Sequence, residues 1–465
     1  MFKKPLIILL LFFFVLGQRA SVALAQGSEE IEAFKKNDRV LILAPHPDDE
    51  TIACAGIIQK ALKGRAEVRV AYLTNGDHNE FAFIVYEKRI TFRRTEFIHM
   101  GMVRRQEAID AMRLLGLGQD KLTFLGYPDN GTFAIFSQYW QTGKPFRSFL
   151  TRISRVPYKT DLSFGSPYIG ESILSDLKKV LLNYKPTKIF VSHPADVNLD
   201  HKALYLFLQI ALRELRDRIP RAKVYAYLVH SLDWPKPRDY HPELNLKPPE
   251  SFRNTQIEWS KLDLVPRALW LKYKAVLAYK SQTMVSAFYL LSFARKNELF
   301  GDYPEIQLKK QVSSKKRPPD FFGFSEMFTG ARGGKEAPRA NNPAGNHGEV
   351  SYAVVDKYFV IRVAKDKELI RRFSLALDIF GFNRRRPFAS MPKIRIKARY
   401  EKFIVYDGAR QVNPKNIRLH FNADDLILRI PLETLGNPDF ILTSVRAYGG
   451  KPVLSDTGFR RIVIK

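Results

Sequence analysis

The segment from Val40 to Gly56 reads VLILAPHPDDETIACAG. An apolar run gives way to His46, Pro47, Asp48, Asp49 and Glu50, and apolar residues then resume. Three consecutive acids beside an imidazole repel one another and resist desolvation unless a cation is shared among them. A second cluster, HPADVNLDH from His193 to His201, adds further imidazoles and carboxylates. A catalytic zinc takes three protein ligands and keeps a fourth position open for water. His46, Asp49 and His201 make such a set, and Asp48, adjacent to a ligand, is placed to take the proton of an attacking water. A competing reading makes Asp48 to Glu50 the acidic first turn of a helix, where carboxylates meet free N–H groups. That reading leaves His46 and the second cluster unexplained.

The elements needed to bring these clusters together are legible around them. Val40–Ala44 reads as a strand, Thr51–Lys63 as a helix and Val68–Leu73 as a second strand ending in the turn Asn75-Gly76-Asp77. Arg104–Leu115 has helical spacing, with Ala108, Ala111, Met112 and Leu115 on one face. Ser172–Leu182 reads as a helix, Lys188–Ser192 and Lys223–Val229 as strands, and Lys272–Phe300 as one long helical tract. Strands alternating with helices predict an α/β fold, a Rossmann-like, mostly parallel sheet with helices on both faces. In such sheets ligands gather beyond the carboxyl ends of the strands, where all three polar clusters fall.

PHPDDE with a downstream Asp200-His201 pair resembles the PIG-L/LmbE family of metal-dependent N-acetylglucosaminyl deacetylases. Asn75-Gly76-Asp77, Arg104-Arg105-Gln106-Glu107 and Leu125-Gly126-Tyr127-Pro128-Asp129 are similar to family segments and stand in family order. Ser281, Gln282, Asn297, Glu298 and Phe300 extend the likeness, which covers roughly residues 38–305. The resemblance implies His46, Asp49 and His201 as zinc ligands, another divalent metal being an alternative, and Asp48 as general base. It further implies an outer role for Asp200, orienting an imidazole, and a sugar pocket lined by Arg104 or Arg105 and Asp129, near Asn75 and Asp77. Family members commonly carry a histidine where this chain has Asn198. An asparagine amide can donate to an oxyanion but delivers no proton, so protonation of the leaving amine is expected from Asp48, His193 or His230.

The chain has 465 residues, 45% of them hydrophobic and 26% charged, with a formal charge of +28. Residues 1–25 have the layout of a secretory signal peptide: Lys3 and Lys4, an apolar run from Leu6 to Leu16, and Ala23-Leu24-Ala25. Export to the periplasm, the cell exterior or the envelope is expected, and without this segment the chain stays strongly basic. That charge favours anionic envelope surfaces, whereas no zinc-finger or helix-turn-helix spacing points to nucleic acid. Cys54 is the only cysteine, which excludes an intramolecular disulfide.

Residues 35–308 are read as the deacetylase-like domain and 309–347, rich in Pro, Gly and basic residues, as a linker. Residues 348–465 show period-2 runs such as KIRIKARY, Lys393–Tyr400, and predict an all-β sandwich. Leu426–Gly436 followed by the strand Phe440–Tyr448 loosely resembles carbohydrate-binding sandwich modules, with Tyr358, Phe359, Tyr400, Phe403 and Tyr406 as candidate stacking aromatics. Between Tyr127 and Gly170, Trp140 and Phe146 belong to a lid over the substrate or to a packed loop. The favoured function is deacetylation of an N-acetylated sugar in a polysaccharide or glycolipid. Amide hydrolysis of a different N-acyl compound, or glycan binding by a degenerate site with Asn198 as its mark, are the alternatives.

Overall fold

The computed structural model describes residues 29–88, 93–141, 143–252, 255–312, 339–340, 350–364, 374–399, 402–413, 415–421, 425–448 and 453–465. The expected signal segment, most of the expected linker and Tyr400 lie outside these residues. Among the described residues no helix is long and apolar enough to cross a membrane.

The first part of the chain runs β1 (Glu29–Glu30), β2 (Arg39–Ala44), α1 (Asp49–Lys63), β3 (Glu67–Thr74), α2 (Glu80–Glu87), α3 (Arg94–Leu114), β4 (Leu122–Tyr127), α4 (Thr132–Gln138), α5 (Gly170–Tyr184), β5 (Lys188–Ser192), α6 (Leu199–Glu214), β6 (Lys223–Tyr227), β7 (Glu258–Asp263), α7 (Pro266–Ala278), α8 (Lys280–Leu290) and β8 (Asn297–Asp302). The sheet order is β1-β7-β8-β6-β5-β2-β3-β4. From β6 to β4 every pairing is parallel, and β8 joins β6 and β7 antiparallel.

Strand alternation divides the core between the two faces of the sheet. Val40, Ile42 and Ala44 of β2 pack with Ile52 and Ile57 of α1, Met112 of α3 and Val276 of α7. Leu41 and Leu43 pack on the opposite side with Phe136 of α4, Leu177 of α5 and Phe207 of α6. The chain leaves β2 for β3 on one side and later returns to β5 on the other. The crevice between β2 and β5 is therefore the topological switch point, where strand ends part and leave room for a ligand.

The C-terminal strands form two sheets, a β-sandwich. One has β10 (Lys310–Gln311), β12 (Val350–Val355), β13 (Tyr358–Ala364), β19 (Asp425–Pro431) and β18 (Arg418–Phe421) in that order, with β11 (Arg339–Ala340) beside β12. The other runs β17 (Arg410–Val412), β16 (Lys402–Asp407), β15 (Lys393–Arg399), β14 (Ser374–Phe382), β20 (Phe440–Tyr448), β22 (Arg460–Ile464) and β9 (Ile306–Leu308), with β21 (Val453–Asp456) beside β20. Tyr352, Phe359 and Leu428 of the first sheet meet Ile379, Ile396 and Ile441 of the second. Phe359 is thus a core residue, while Tyr358, Phe403 and Tyr406 are half-buried. The chain enters these sheets at Ile306, and Lys310–Gln311 pairs with β12.

Three local expectations change. Helix α3 starts at Arg94, ten residues before the predicted start at Arg104. The tract Lys272–Phe300 is not one helix: it breaks at Tyr279, whose φ and ψ are −79° and 66°, and ends in β8. The break lets the Tyr279 hydroxyl reach buried Glu50, and β8 is fixed by pairing with β7, a long-range contact that local periodicity does not carry. Trp140 is 6% exposed and packs edge-on against Phe136 and Phe388, next to Phe207, so it fills core between the two domains and covers no substrate. Trp140→Ala should cost about 3–5 kcal/mol in denaturant unfolding, as for a large aromatic removed from a packed core. A loss under about 1 kcal/mol would instead suit a surface flap.

Candidate metal centre

All five parallel strands end on the same edge, and each delivers polar groups there. Pro45 to Asp49 follow β2, Asn75 to Asp77 follow β3, and Asp129 and Asn130 follow β4. The His193–His201 segment follows β5, and His230 follows β6. Asp48 has φ 123°, a region costly for a residue with a Cβ, at the turn from strand to helix α1. The His46 backbone N–H donates to Asp49 Oδ2 at 3.0 Å, which closes the turn.

His46 Nδ1 and His201 Nε2 lie 3.2 and 3.1 Å from the same oxygen, Asp49 Oδ2. Ligand atoms held about 2.0–2.1 Å from a tetrahedral ion stand about 3.3–3.4 Å apart, so the three groups already have the spacing of a coordination face. Both ring nitrogens of buried His201 lack an aligned hydrogen bond, although carboxylate oxygens lie near them. Lone pairs arranged in this way suit a divalent ion, and the two-imidazole, one-carboxylate donor set suits zinc chemistry.

The far nitrogens carry the second layer. His46 Nε2 is 3.1 Å from Asp129 Oδ1 and 3.3 Å from Asp200 Oδ2, and His201 Nδ1 is 3.1 Å from Asp196 Oδ2. Each imidazole is thus backed by carboxylate, the arrangement that fixes ring orientation and raises ligand basicity. Asp200 is itself held by Thr132, whose backbone N–H and hydroxyl donate to Oδ1 at 3.0 and 2.5 Å. Asp196 accepts from the backbone N–H groups of Asn198, Val229 and His230 at 2.9, 3.1 and 2.8 Å. The sets Asp196–His201–His230 and His46–Asp129–Asp200 also lie at ligating distance, and each shares a histidine with the first set.

Burial disfavours charge on both imidazoles, yet their carboxylate neighbours win. Asp196 and Asp49 raise His201 to about 10, and Asp129 leads in raising His46 well above its ordinary value. Asp49, Asp129 and Asp196 are correspondingly held below the ordinary carboxylate range, despite burial, chiefly by the histidines beside them. Asp48 behaves differently. Burial pushes it up to about 7, with Asp49 and Glu50 adding to the rise and Arg104 opposing it. Arg104 Nη2 lies 3.1 Å from Asp48 Oδ2 and donates to Pro47 O at 2.7 Å, while Nη1 donates to Gly76 O at 3.1 Å. A Cβ on Gly76, whose φ is +69°, would stand 2.0 Å from Arg104 Nη1, so the guanidinium needs glycine there.

Of the other expected site residues, Asp129, Arg104 and Asp77 join the cluster. Asp77 Oδ1 accepts from the Asp129 N–H at 3.2 Å, and its Oδ2 accepts from the Tyr158 hydroxyl at 2.7 Å. Arg105 turns away, pairing with Asp161 at 3.1 Å and lying over the Phe124 ring, and Asn75 also donates to Asp161, at 2.8 Å. Asn198 caps α6, with Oδ1 accepting from the Asp200 N–H at 2.8 Å, a positional preference of asparagine before a helix. His193 is fully buried among Phe252, Trp259 and Tyr303, and burial lowers it to about 3. It is a neutral core imidazole, which removes it from proton transfer and from substrate contact. His230 stays with the site: its ring lies 4.8 Å from that of His201 and stacks on Tyr289. Sequence reasoning missed Asp196, although it sits inside the quoted HPADVNLDH cluster.

The fold is an α/β sheet carrying a His/Asp cluster at ligating distance on its carboxyl edge. Residues 41–212 match the family model PIG-L, GlcNAc-PI de-N-acetylase, a span running from β2 into α6. That stretch of the chain is therefore similar to the PIG-L N-deacetylase domain. No curated protein matches it. Solved structures that this chain matches include N,N'-diacetylchitobiose deacetylase from Pyrococcus horikoshii, at 18% identity over 53% of this chain and 70% of that one, with TM-score 0.33. A conserved protein from Thermus thermophilus has 20% identity over 55% and 84%, with TM-score 0.34. GalB, the 4-carboxy-2-hydroxymuconate hydratase from Pseudomonas putida, has 18% identity over 55% and 82%, with TM-score 0.35.

Because His193 titrates near 3 when folded and near 6.5 when unfolded, the unfolded chain binds the extra proton between those values. Its contribution to stability is present above about pH 6.5 and is lost as pH falls toward 3, by at most about 1.4 kcal/mol per unit. Unfolding free energies at pH 7 and pH 5 should differ less for His193→Gln than for the parent chain. An unchanged difference would show that His193 is not the buried neutral group described.

Proposed function

We propose that the protein is a zinc-dependent hydrolase that removes the acetyl group from an N-acetylglucosamine-type sugar of an envelope glycan or glycolipid. The observation that carries this reading is the meeting of His46 Nδ1 and His201 Nε2 on Asp49 Oδ2, with Asp48 alongside against Arg104. A divalent ion held by those three ligands supplies Lewis acidity toward the acetamide carbonyl and toward water.

The chain's own residues do the rest. Asp48 accepts the proton of the attacking water, and Arg104 fixes the carboxylate's direction. The same Asp48 then returns the proton to the leaving sugar nitrogen, since Asn198 is committed to its helix cap and His193 is buried in the core. Burial lowers the His230 imidazole, which leaves it a neutral ring on the edge of the cluster, suited to donate an N–H to the developing oxyanion. Asp129, which backs His46, is the carboxylate we assign to a sugar hydroxyl. The export-type segment and the charge of +28 support a substrate at an anionic envelope surface.

Acetate release from N-acetylglucosamine oligomers and N-acetylated glycolipids tests this reading, with Asp48→Asn as the comparison. The substitution should lower kcat/KM by about 10²–10⁴-fold, the range for loss of a general base, while bound zinc stays stoichiometric. Zinc bound by the parent chain without acetate release from any N-acetyl sugar would contradict the substrate assignment, and release from non-sugar amides alone would select a different N-acyl compound.

A further inference from the structure

The turn between β21 and β22 of the C-terminal domain touches the backs of three segments that hold the metal cluster. The Phe459 backbone N–H donates to Pro194 O at 3.1 Å, two residues before Asp196. A Cβ on Gly458, whose φ is +64°, would stand 2.7 Å from Ala195 Cβ, so the close approach of the turn to Ala195 needs glycine there. Asp456 pairs with Lys202, the buried neighbour of His201. The Phe459 ring, 1% exposed, lies 6.0 Å from the ring of Phe133, and Phe133 follows the Thr132 that holds Asp200. The turn is braced on its own side, with Thr457 N–H donating to Val445 O at 3.0 Å and Gly458 N–H donating to Asp456 Oδ1 at 2.9 Å.

We propose that the turn Asp456–Phe459 is a positioning element of the metal centre, with Phe459 and Asp456 as its positioning residues. It fixes from behind the loop that aims Asp196 at His201, the helix turn that carries His201, and the segment that aims Asp200 at His46. The β-sandwich is then a structural half of the catalytic unit, in contrast to a module tethered by a linker and joined to the site by nothing else. A carboxylate that drifts from its imidazole leaves the ring free to rotate off the ion, and the measured scale for such outer losses is about 10–100-fold in metal affinity.

The inference rests on the metal reading above, and its test reads affinity apart from turnover. Zinc dissociation constants are measured by chelator competition on the full chain for the parent, Phe459→Ala, Phe459→Leu, Asp456→Asn and Ile361→Ala. Ile361 is fully buried in the sandwich core and serves as a control for general destabilisation, which is followed by denaturant unfolding. Phe459→Ala should weaken zinc by about 10–100-fold, Phe459→Leu should recover most of it, and Ile361→Ala should bind as the parent does. Asp456→Asn, which leaves no cavity, should weaken zinc in the same direction and stands in if Phe459→Ala does not fold. Parent-like affinity in both turn variants, or an equal loss in Ile361→Ala, overturns the inference while the metal reading survives. Failure of the parent chain to bind zinc overturns both.

Discussion

Everything at this site depends on how buried negative charge is neutralised. Asp49, Asp129, Asp196 and Asp200 lie within about one hydrogen bond of two imidazoles, at a place where desolvation alone would drive carboxylates to protonate. Each ring has one nitrogen facing Asp49 and the other facing an outer carboxylate. That polarity fits the proposed roles: the inner nitrogens would be donors to a cation, and the outer carboxylates would orient the rings. Asp48 stands outside this exchange. Among the described residues it has no imidazole partner within ion-pair distance and one guanidinium contact, and burial carries its pKa up to about 7, which suits a group that must accept and return a proton.

The α/β architecture exists in this form because of where β2 and β5 separate. Five parallel strands end on one edge, so short segments far apart in sequence meet there. His46 and His201 are separated by most of the domain along the chain and by 5.3 Å between ring centroids. The strain at Asp48 and the glycine at position 76 serve the same end, since both let a polar side chain approach backbone that a regular turn would keep away.

Much of this was legible in the sequence because the signals were local. The strand Lys188–Ser192 and the strand Phe440–Tyr448 have the predicted bounds, and His46, Asp49 and His201, picked out as residue types at strand ends, lie together in the fold. What escaped depended on partners elsewhere in the chain. Nothing near Tyr279 announces a helix break that serves Glu50, and nothing near Asn297 announces a strand that pairs with β7. Arg104 and Arg105 are neighbours of one type, and only the helix phase sends one to Asp48 and the other to Asp161. His193 looked like a site residue because it opens the HPADVNLDH cluster, but its ring faces the aromatic side of the sheet. Asp196 was overlooked because its partner, His201, already had a carboxylate neighbour in sequence, Asp200, which in the fold serves His46.

The central claim is a position in space, and a metal-loaded crystal tests it most directly through anomalous difference density at the zinc edge. The account predicts one strong peak about 2.0–2.2 Å from His46 Nδ1, an Asp49 carboxylate oxygen and His201 Nε2, with Asp48 close by and not ligating. A principal peak among Asp196, His201 and His230, or among His46, Asp129 and Asp200, would contradict it, as would a metal bound elsewhere on the chain.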